Sequence, residues 1–155
     1  MDLPRDFREL LEEFERADVE AVVVGGYAVA FHGRPRATKD IDVVLRPSDA
    51  NLSRAAEALT RFGAPTNVVA MVRGMSTTEV VFLGQAPLRI DFLVSIDGVT
   101  TDDLFARAVE AHLDGVSVRV IALDDLIVNK RAAARPQDLL DVAFLERVRK
   151  ASGCD

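Results

Sequence analysis

Cysteine is almost missing from this sequence: among 155 residues the one thiol is Cys154. One cysteine builds no disulfide framework within the chain and no thiol cluster for zinc or an iron–sulfur group. An excess of basic residues is missing too, since 19 Lys and Arg against 25 Asp and Glu leave a net charge of −6. A chain of that sign does not coat nucleic acid or an anionic membrane through its overall field, so an anionic ligand needs a local basic patch or a metal ion. Long apolar runs are also lacking. The longest, around Ala21 to Phe31, is cut by Gly25 and Gly26 and falls short of a bilayer span. The start, MDLPRDFRELLEEFERAD, is acidic and helical in period, unlike a signal peptide. Repeats, linkers and low-complexity tracts are not found. These absences predict a cytoplasmic protein with no membrane segment, folded over residues 1–155 as a single domain long enough to bury a core.

What is there reads as alternating helix and strand. Phe7, Leu10, Leu11 and Phe14 recur at helical spacing after Pro4, a residue suited to a helix start. The β-branched run AVVV, Ala21 to Val24, predicts a buried strand feeding a glycine turn and a short helix from about Tyr27 to Phe31. Strand IDVVL follows, then a helix over Asp49 to Arg61, capped by Ser48 and stopped by Gly63. VVAMV, TEVVFL, LRIDFLV and VSVRVI are expected as strands and LFARAVEAHL as a helix. Two C-terminal helical segments cover about residues 123–151, separated at Arg135 and Pro136. The pattern predicts an α/β or α+β fold, a mixed sheet flanked by helices.

The stretch GGYAVAFHGRPRATKDIDVVL carries the chemistry. In a strand, residues two apart share a face, so Asp40 and Asp42 stand side by side while Ile41 and Val43 point to the core. Two carboxylates that close repel and raise each other's pKa unless a cation lies between them. Hard oxygen donors suit Mg2+ or Mn2+, ions that commonly bridge carboxylates to substrate phosphates. Gly25 and Gly26 allow a close approach to the backbone, and a helix starting there offers N–H groups to a phosphate.

Glycine pair, acidic-x-acidic strand and the later Asp91 in LRIDFLV together resemble the signature of the DNA polymerase β-like nucleotidyltransferase superfamily. The basic insert HGRPRATKD resembles its bacterial branch related to abortive-infection and type IV toxin nucleotidyltransferases. Near the C-terminus, Lys130 followed by Arg135, Asp138 and Asp141 is similar to a helical segment of that branch. The resemblance covers roughly Ala21 to Leu145 and implies a polymerase β-like nucleotidyltransferase core. It implies transfer of a nucleoside monophosphate from an NTP such as ATP to a hydroxyl acceptor, with Asp40, Asp42 and Asp91 as the catalytic, metal-holding acids. Gly25 and Gly26 would seat the triphosphate; Arg34, Arg36, Lys39 and Lys130 are the candidate contacts to nucleotide or anionic acceptor, with Asp138 as a supplementary position.

Gly26 stands where many members of that superfamily have a serine, so backbone contacts replace a hydroxyl. Read as a single domain, the chain is expected to offer no sizeable second domain for the acceptor, which leaves a shallow surface, a homodimer partner or a separate protein. By resemblance the acceptor classes are tRNA, a partner protein in a toxin–antitoxin pair or defence system, and a small-molecule antibiotic; the acidic net charge disfavours tRNA. The rival readings are a catalytically silent nucleotide- or partner-binding relative and a metal-dependent nuclease. Arg34, Arg36 and Lys39 have the alternative of a charged surface loop, His32 that of a carbonyl cap, and Tyr27 that of packing against the sheet.

Overall fold

The computed structural model describes residues 2–34, 38–76, 79–85 and 88–153. Helix α1 (Arg5–Arg16) places Phe7, Leu10, Leu11 and Phe14 on one buried stripe. Strand β1 (Ala21–Val24) runs straight into α2 (Gly25–Phe31), and β2 (Asp40–Leu45) returns antiparallel to β1. Helix α3 (Asp49–Phe62) is capped as its sequence demands: the Ser48 hydroxyl accepts from the Asn51 N–H, and Gly63 ends it at φ +96°. Then follow α4 (Thr66–Arg73), β3 (Val81–Gln85), β4 (Leu88–Leu93), α5 (Thr101–Arg107), β5 (Val109–Leu113), β6 (Val116–Val120), α6 (Leu123–Ala133) and α7 (Pro136–Ala151).

The strands form one six-stranded mixed sheet in the order β3-β4-β2-β1-β6-β5, with β2 beside β4 and β1 beside β6 in parallel. This is the mixed α/β architecture expected. Alternation along β2 sends Ile41 and Val43 to the core, and Val23 and Val43 meet Leu11 and Phe14 of α1 on that face. The opposite face carries Asp40 and Asp42, and the C-terminal helices α6 and α7 stand over it. Among the described residues no helix is long and apolar enough to cross a membrane.

Two expected elements differ. VVAMV lies in α4, not in a strand, because Pro65 opens a helix there and the run buries Val68 and Val72, four residues apart, while Met71 stays exposed. A short apolar run satisfies both periods, and this one is settled by what it packs against. LFARAVEAHL is half helix and half strand: α5 stops at Arg107, and VEAHL pairs antiparallel with β6 from Val109↔Val120 to Leu113↔Val116. The edge of the sheet claims a segment whose local propensity favours helix.

Asn51, fully buried in α3, ties three elements together. Its carbonyl accepts from the Glu20 N–H at 2.7 Å, and its amide donates to the Glu20 and Arg46 carbonyls at 2.9 Å each. Start of β1, end of β2 and first turn of α3 thus share one side chain. Asn51→Leu keeps the volume but strands these backbone groups, so the unfolding free energy should fall by about 2–3 kcal/mol in urea titrations. An unchanged midpoint would show that water replaces the amide without loss.

Candidate functional site

The site begins at a register. Val24, the last residue of β1, lies opposite Asp42, and Asp42 lies opposite Asp91 on the neighbouring parallel strand β4. Three strands therefore bring the glycine turn, Asp42 and Asp91 to one place. Asp40 sits one pleat earlier on the same face as Asp42, opposite Arg89. The ladder fixes the backbones, so the carboxylates cannot relieve their repulsion by spreading.

Gly25 starts α2 at φ +68°, a left-handed conformation that L side chains rarely adopt. A Cβ there would stand 2.1 Å from Oδ2 of Asp42. Glycine is thus required twice, by the turn and by the carboxylate behind it. The residue before the helix, Val24, is extended and supplies no side-chain cap, and Gly25 and Gly26 in the first turn of α2 line an open cleft. Gly26 faces Thr38, whose hydroxyl donates to the Asp40 carbonyl at 3.0 Å.

Asp42 is the electrostatic centre. Burial, then the charge of Asp91 and a hydrogen bond with it, then Asp40, push its carboxyl up to about 7, while Lys130 pulls it down. Asp91 is 8% exposed and gives both oxygens to Arg89: Nε donates to Oδ1 at 2.7 Å and Nη2 to Oδ2 at 3.1 Å. The same Nη2 stands 3.5 Å from Oδ2 of Asp40. Among the described residues no three or more His, Cys, Asp or Glu are gathered so as to hold a metal ion. The three acids offer the hard oxygens a divalent ion takes, but a guanidinium stands among them.

The second charged layer comes from the α6–α7 corner. Ala134 turns the chain at φ +56°, and Arg135 and Pro136 start α7. Lys130 of α6 is buried, its ammonium 3.0 Å from Asp138 Oδ1 and 3.3 Å from Asp141 Oδ2. Arg135 donates through Nε to Asp138 Oδ2 at 2.7 Å and keeps a largely exposed side chain. Burial works to raise Asp138, but hydrogen bonds from Arg135 and Lys130 and their charges hold it below the usual carboxylate range.

Two open clefts meet at this point. One, about 320 Å3, is lined by Gly25, Gly26, Thr38, Lys39 and Gln137 and the other, about 350 Å3, by Leu93, Ser95, Ile96, Asp97 and Asn129; Asp42, Lys130, Arg135 and Asp138 border both. A further cleft of about 200 Å3 lies on the α1 face and holds none of the three acids.

Of the residues singled out from sequence, Gly25, Gly26, Lys39, Asp40, Asp42 and Lys130 thus share the first cleft, with Asp91 alongside through its register with Asp42. Arg34 lies elsewhere: it donates to Asp141 at 3.0 Å and stacks over Phe144 on α7. Arg36 and Cys154 lie outside the described residues. His32 caps the Ile121 carbonyl at 2.7 Å, and Tyr27 packs edge-on against Phe7. Sequence reasoning missed Arg89 and did not place Arg135 in the site. Both left a signal: Arg89 is two residues before Asp91 on one strand face, and Arg135 opens the Arg-x-x-Asp pattern.

A carboxyl whose pKa is raised by folding keeps its proton in the fold between about pH 4 and 7, so the stability it lends is complete below the unfolded value and is lost as pH rises through about 7. Burial lowers the pKa of His32, which acts in the other sense. In chelator, thermal unfolding should therefore show Asp42→Asn gaining on the wild type as pH rises from 5 to 8; a constant gap would contradict the crowding of Asp42. Lys130→Met, which leaves Asp138 and Asp141 uncompensated by the ammonium, should cost about 3 kcal/mol in urea unfolding.

A family model described as nucleotidyl transferase of unknown function (DUF2204) matches residues 4–153. No curated protein matches the sequence. Among solved structures, the lincosamide antibiotic adenylyltransferase LnuA, lincomycin-bound, superposes with a TM-score of 0.61 at 14% identity, over 94% of this chain and 98% of that one. A candidate nucleotidyltransferase from Thermotoga maritima, TM1012, gives 0.59 at 19% identity, over 96% and 91%. ANT(2″)-Ia in complex with adenylyl-2″-tobramycin gives 0.57 at 14%, over 94% and 93%. At these identities the likeness shows a shared fold.

Proposed function

Since the chain belongs to this nucleotidyl transferase family, we propose that it transfers a nucleoside monophosphate from an NTP to a hydroxyl acceptor and releases pyrophosphate. The observation that carries the reading is the register joining Val24, Asp42 and Asp91, which sets a glycine turn against two carboxylates on neighbouring strands. The acceptor oxygen would bond to the α-phosphorus as the bond from that phosphorus to the bridging oxygen breaks. The hydroxyl proton would pass to Asp91, and pyrophosphate carries away the electron pair. Such a reaction asks the protein chiefly to position the reactants and balance charge.

Gly25 and Gly26 fit the triphosphate, because they leave the cleft without side chains and bring the first turn of α2 to its wall. Lys39 and Arg135 supply positive charge at its rim. Lys130 neutralises the floor, its ammonium between Asp138 and Asp141. Asp40, Asp42 and Asp91 would hold Mg2+ or Mn2+, which when bound screens the phosphates and lowers the pKa of the attacking hydroxyl. A reduced cytoplasm with its NTP pool is the compartment this chemistry needs.

For the acceptor we favour a small molecule in the cleft on the Asp97 and Asn129 side. That cleft lies in the size range of ligand pockets and opens onto Asp42. Its acids suit a neutral or cationic polyol better than a polyanion. LnuA and ANT(2″)-Ia, whose names speak of lincosamide and tobramycin, are matched by this chain over 98% and 93% of their own length. Engagement of Arg34 by Asp141 takes one cation from the loop that would meet tRNA. A toxin–antitoxin or defence role would instead require transfer to tRNA or protein.

The test is to incubate the protein with each α-labelled NTP, Mg2+ and a cell extract, and to separate small molecules, RNA and protein. Label should move to a small molecule with release of pyrophosphate, and Asp42→Ala should fall to background, a loss of about 100-fold or more. Label in RNA or protein would overturn the acceptor class. Tight NTP binding without transfer from any nucleotide would replace the enzyme by a silent nucleotide-binding relative.

A further inference from the structure

Arg89 has the most consequential position that the proposed reaction leaves unused. It precedes Asp91 by two residues on β4, so both side chains rise from the same face of the sheet. Its planar fork takes both oxygens of Asp91, at 2.7 and 3.1 Å, and reaches Asp40 at 3.5 Å across the parallel pairing Asp40↔Arg89. The fork lies 4.3 Å over the ring of Phe82, which pairs with Asp91 from the edge strand β3. Side-chain exposure of Arg89 is 38%, so the head is held by these contacts and not walled in.

We propose that Arg89 is an exchangeable counter-ion, competing with a divalent cation for Asp91 and Asp40 and thereby setting how tightly the site takes metal. The inference rests on the reading of these acids as metal ligands. Both Asp91 oxygens already accept from the guanidinium, so a cation at Asp91 meets a competing positive charge and must either share the remaining lone pairs with the fork or displace it. An arginine does not surrender its charge within any working pH range, unlike a lysine that burial can neutralise. The competition is therefore always present, and the site changes from arginine-neutralised to metal-neutralised without leaving three bare carboxylates together. Phe82, whose ring already lies 4.3 Å from the guanidinium, can keep hold of a head displaced from Asp91, close enough to return.

Manganese binding reads this directly. Free Mn2+ is followed by electron paramagnetic resonance while metal is titrated into wild type, Arg89→Gln, Arg89→Lys and Arg73→Gln, whose exposed arginine on α4 controls for net charge. Arg89→Gln should bind Mn2+ roughly 10-fold tighter than wild type, since a competing hydrogen-bonded charge is gone. Arg89→Lys should fall between them, and Arg73→Gln should match wild type. Equal or weaker binding by Arg89→Gln, with wild type binding normally, would overturn the competition and make Arg89 a support that positions Asp91. Absence of binding in wild type and Arg89→Gln alike would instead overturn the metal reading and the competition with it. Arg89→Lys, which keeps the charge opposite Asp40 and Asp91, supplies the comparison should Arg89→Gln unfold.

Discussion

Crowding of Asp40, Asp42 and Asp91 on one face of a rigid sheet is the constraint to which the surrounding structure answers. The register places Asp42 against Asp91, and the hydrogen-bonded ladder denies the backbones any way apart. Repulsion at this spacing is relieved by a proton or a cation. The fold provides both: Asp42 is pushed up to about 7 and shares a hydrogen bond with Asp91, while Arg89 approaches from the strand side and Lys130 from α6. Gly25 belongs to the same constraint, because any side chain there would enter the space of Asp42.

The α6–α7 corner supports that face by a buried ionic network beside the apolar packing of Leu126, Ile127, Val142 and Leu145. Lys130 meets Asp138 and Asp141; Arg34 reaches Asp141 from the segment after α2, and Arg135 closes on Asp138 at the start of α7. A buried ion pair adds little net stability over an apolar one, but losing a single partner is costly, which makes the network a device for fixing geometry. Here the geometry fixed is the height of Arg135 over the two clefts. Ala134, held at φ +56° without being glycine, is where the corner concentrates its backbone strain.

Features governed by neighbours in the chain were legible in the sequence. Asp40 and Asp42 share a face because strands alternate, Ser48 and Gly63 bound α3 because helix ends leave unsatisfied groups, and Pro136 separates α6 from α7. Features governed by packing were not. VVAMV satisfies a strand and a helix alike until Val68 and Val72 find a surface, and VEAHL becomes an edge strand only because β6 lies beside it. Asn51 looked like an ordinary helix residue, since nothing local reveals that its amide serves Glu20 and Arg46. Arg89 was missed for another reason: a basic residue in a strand reads as solvent-facing until the register with Asp40 is known.

Two substrates of opposite electrostatic demand would have to meet at Asp42. The triphosphate would need positive charge, and the glycine-side cleft would offer it Lys39, Arg135 and the first turn of α2. The other cleft keeps the shared Asp42, Asp138, Lys130 and Arg135 but has Asp97 where the first has Asp40 and Lys39, so it is poorer by one cation. A polyanionic acceptor would bring further phosphates toward these acids in a chain already at −6. A neutral or amino-bearing small molecule would gain from the same acids. If the proposed reaction holds, this difference of one cation between the clefts would suit an acceptor that contributes no negative charge of its own, an argument that does not draw on what any relative of the fold binds.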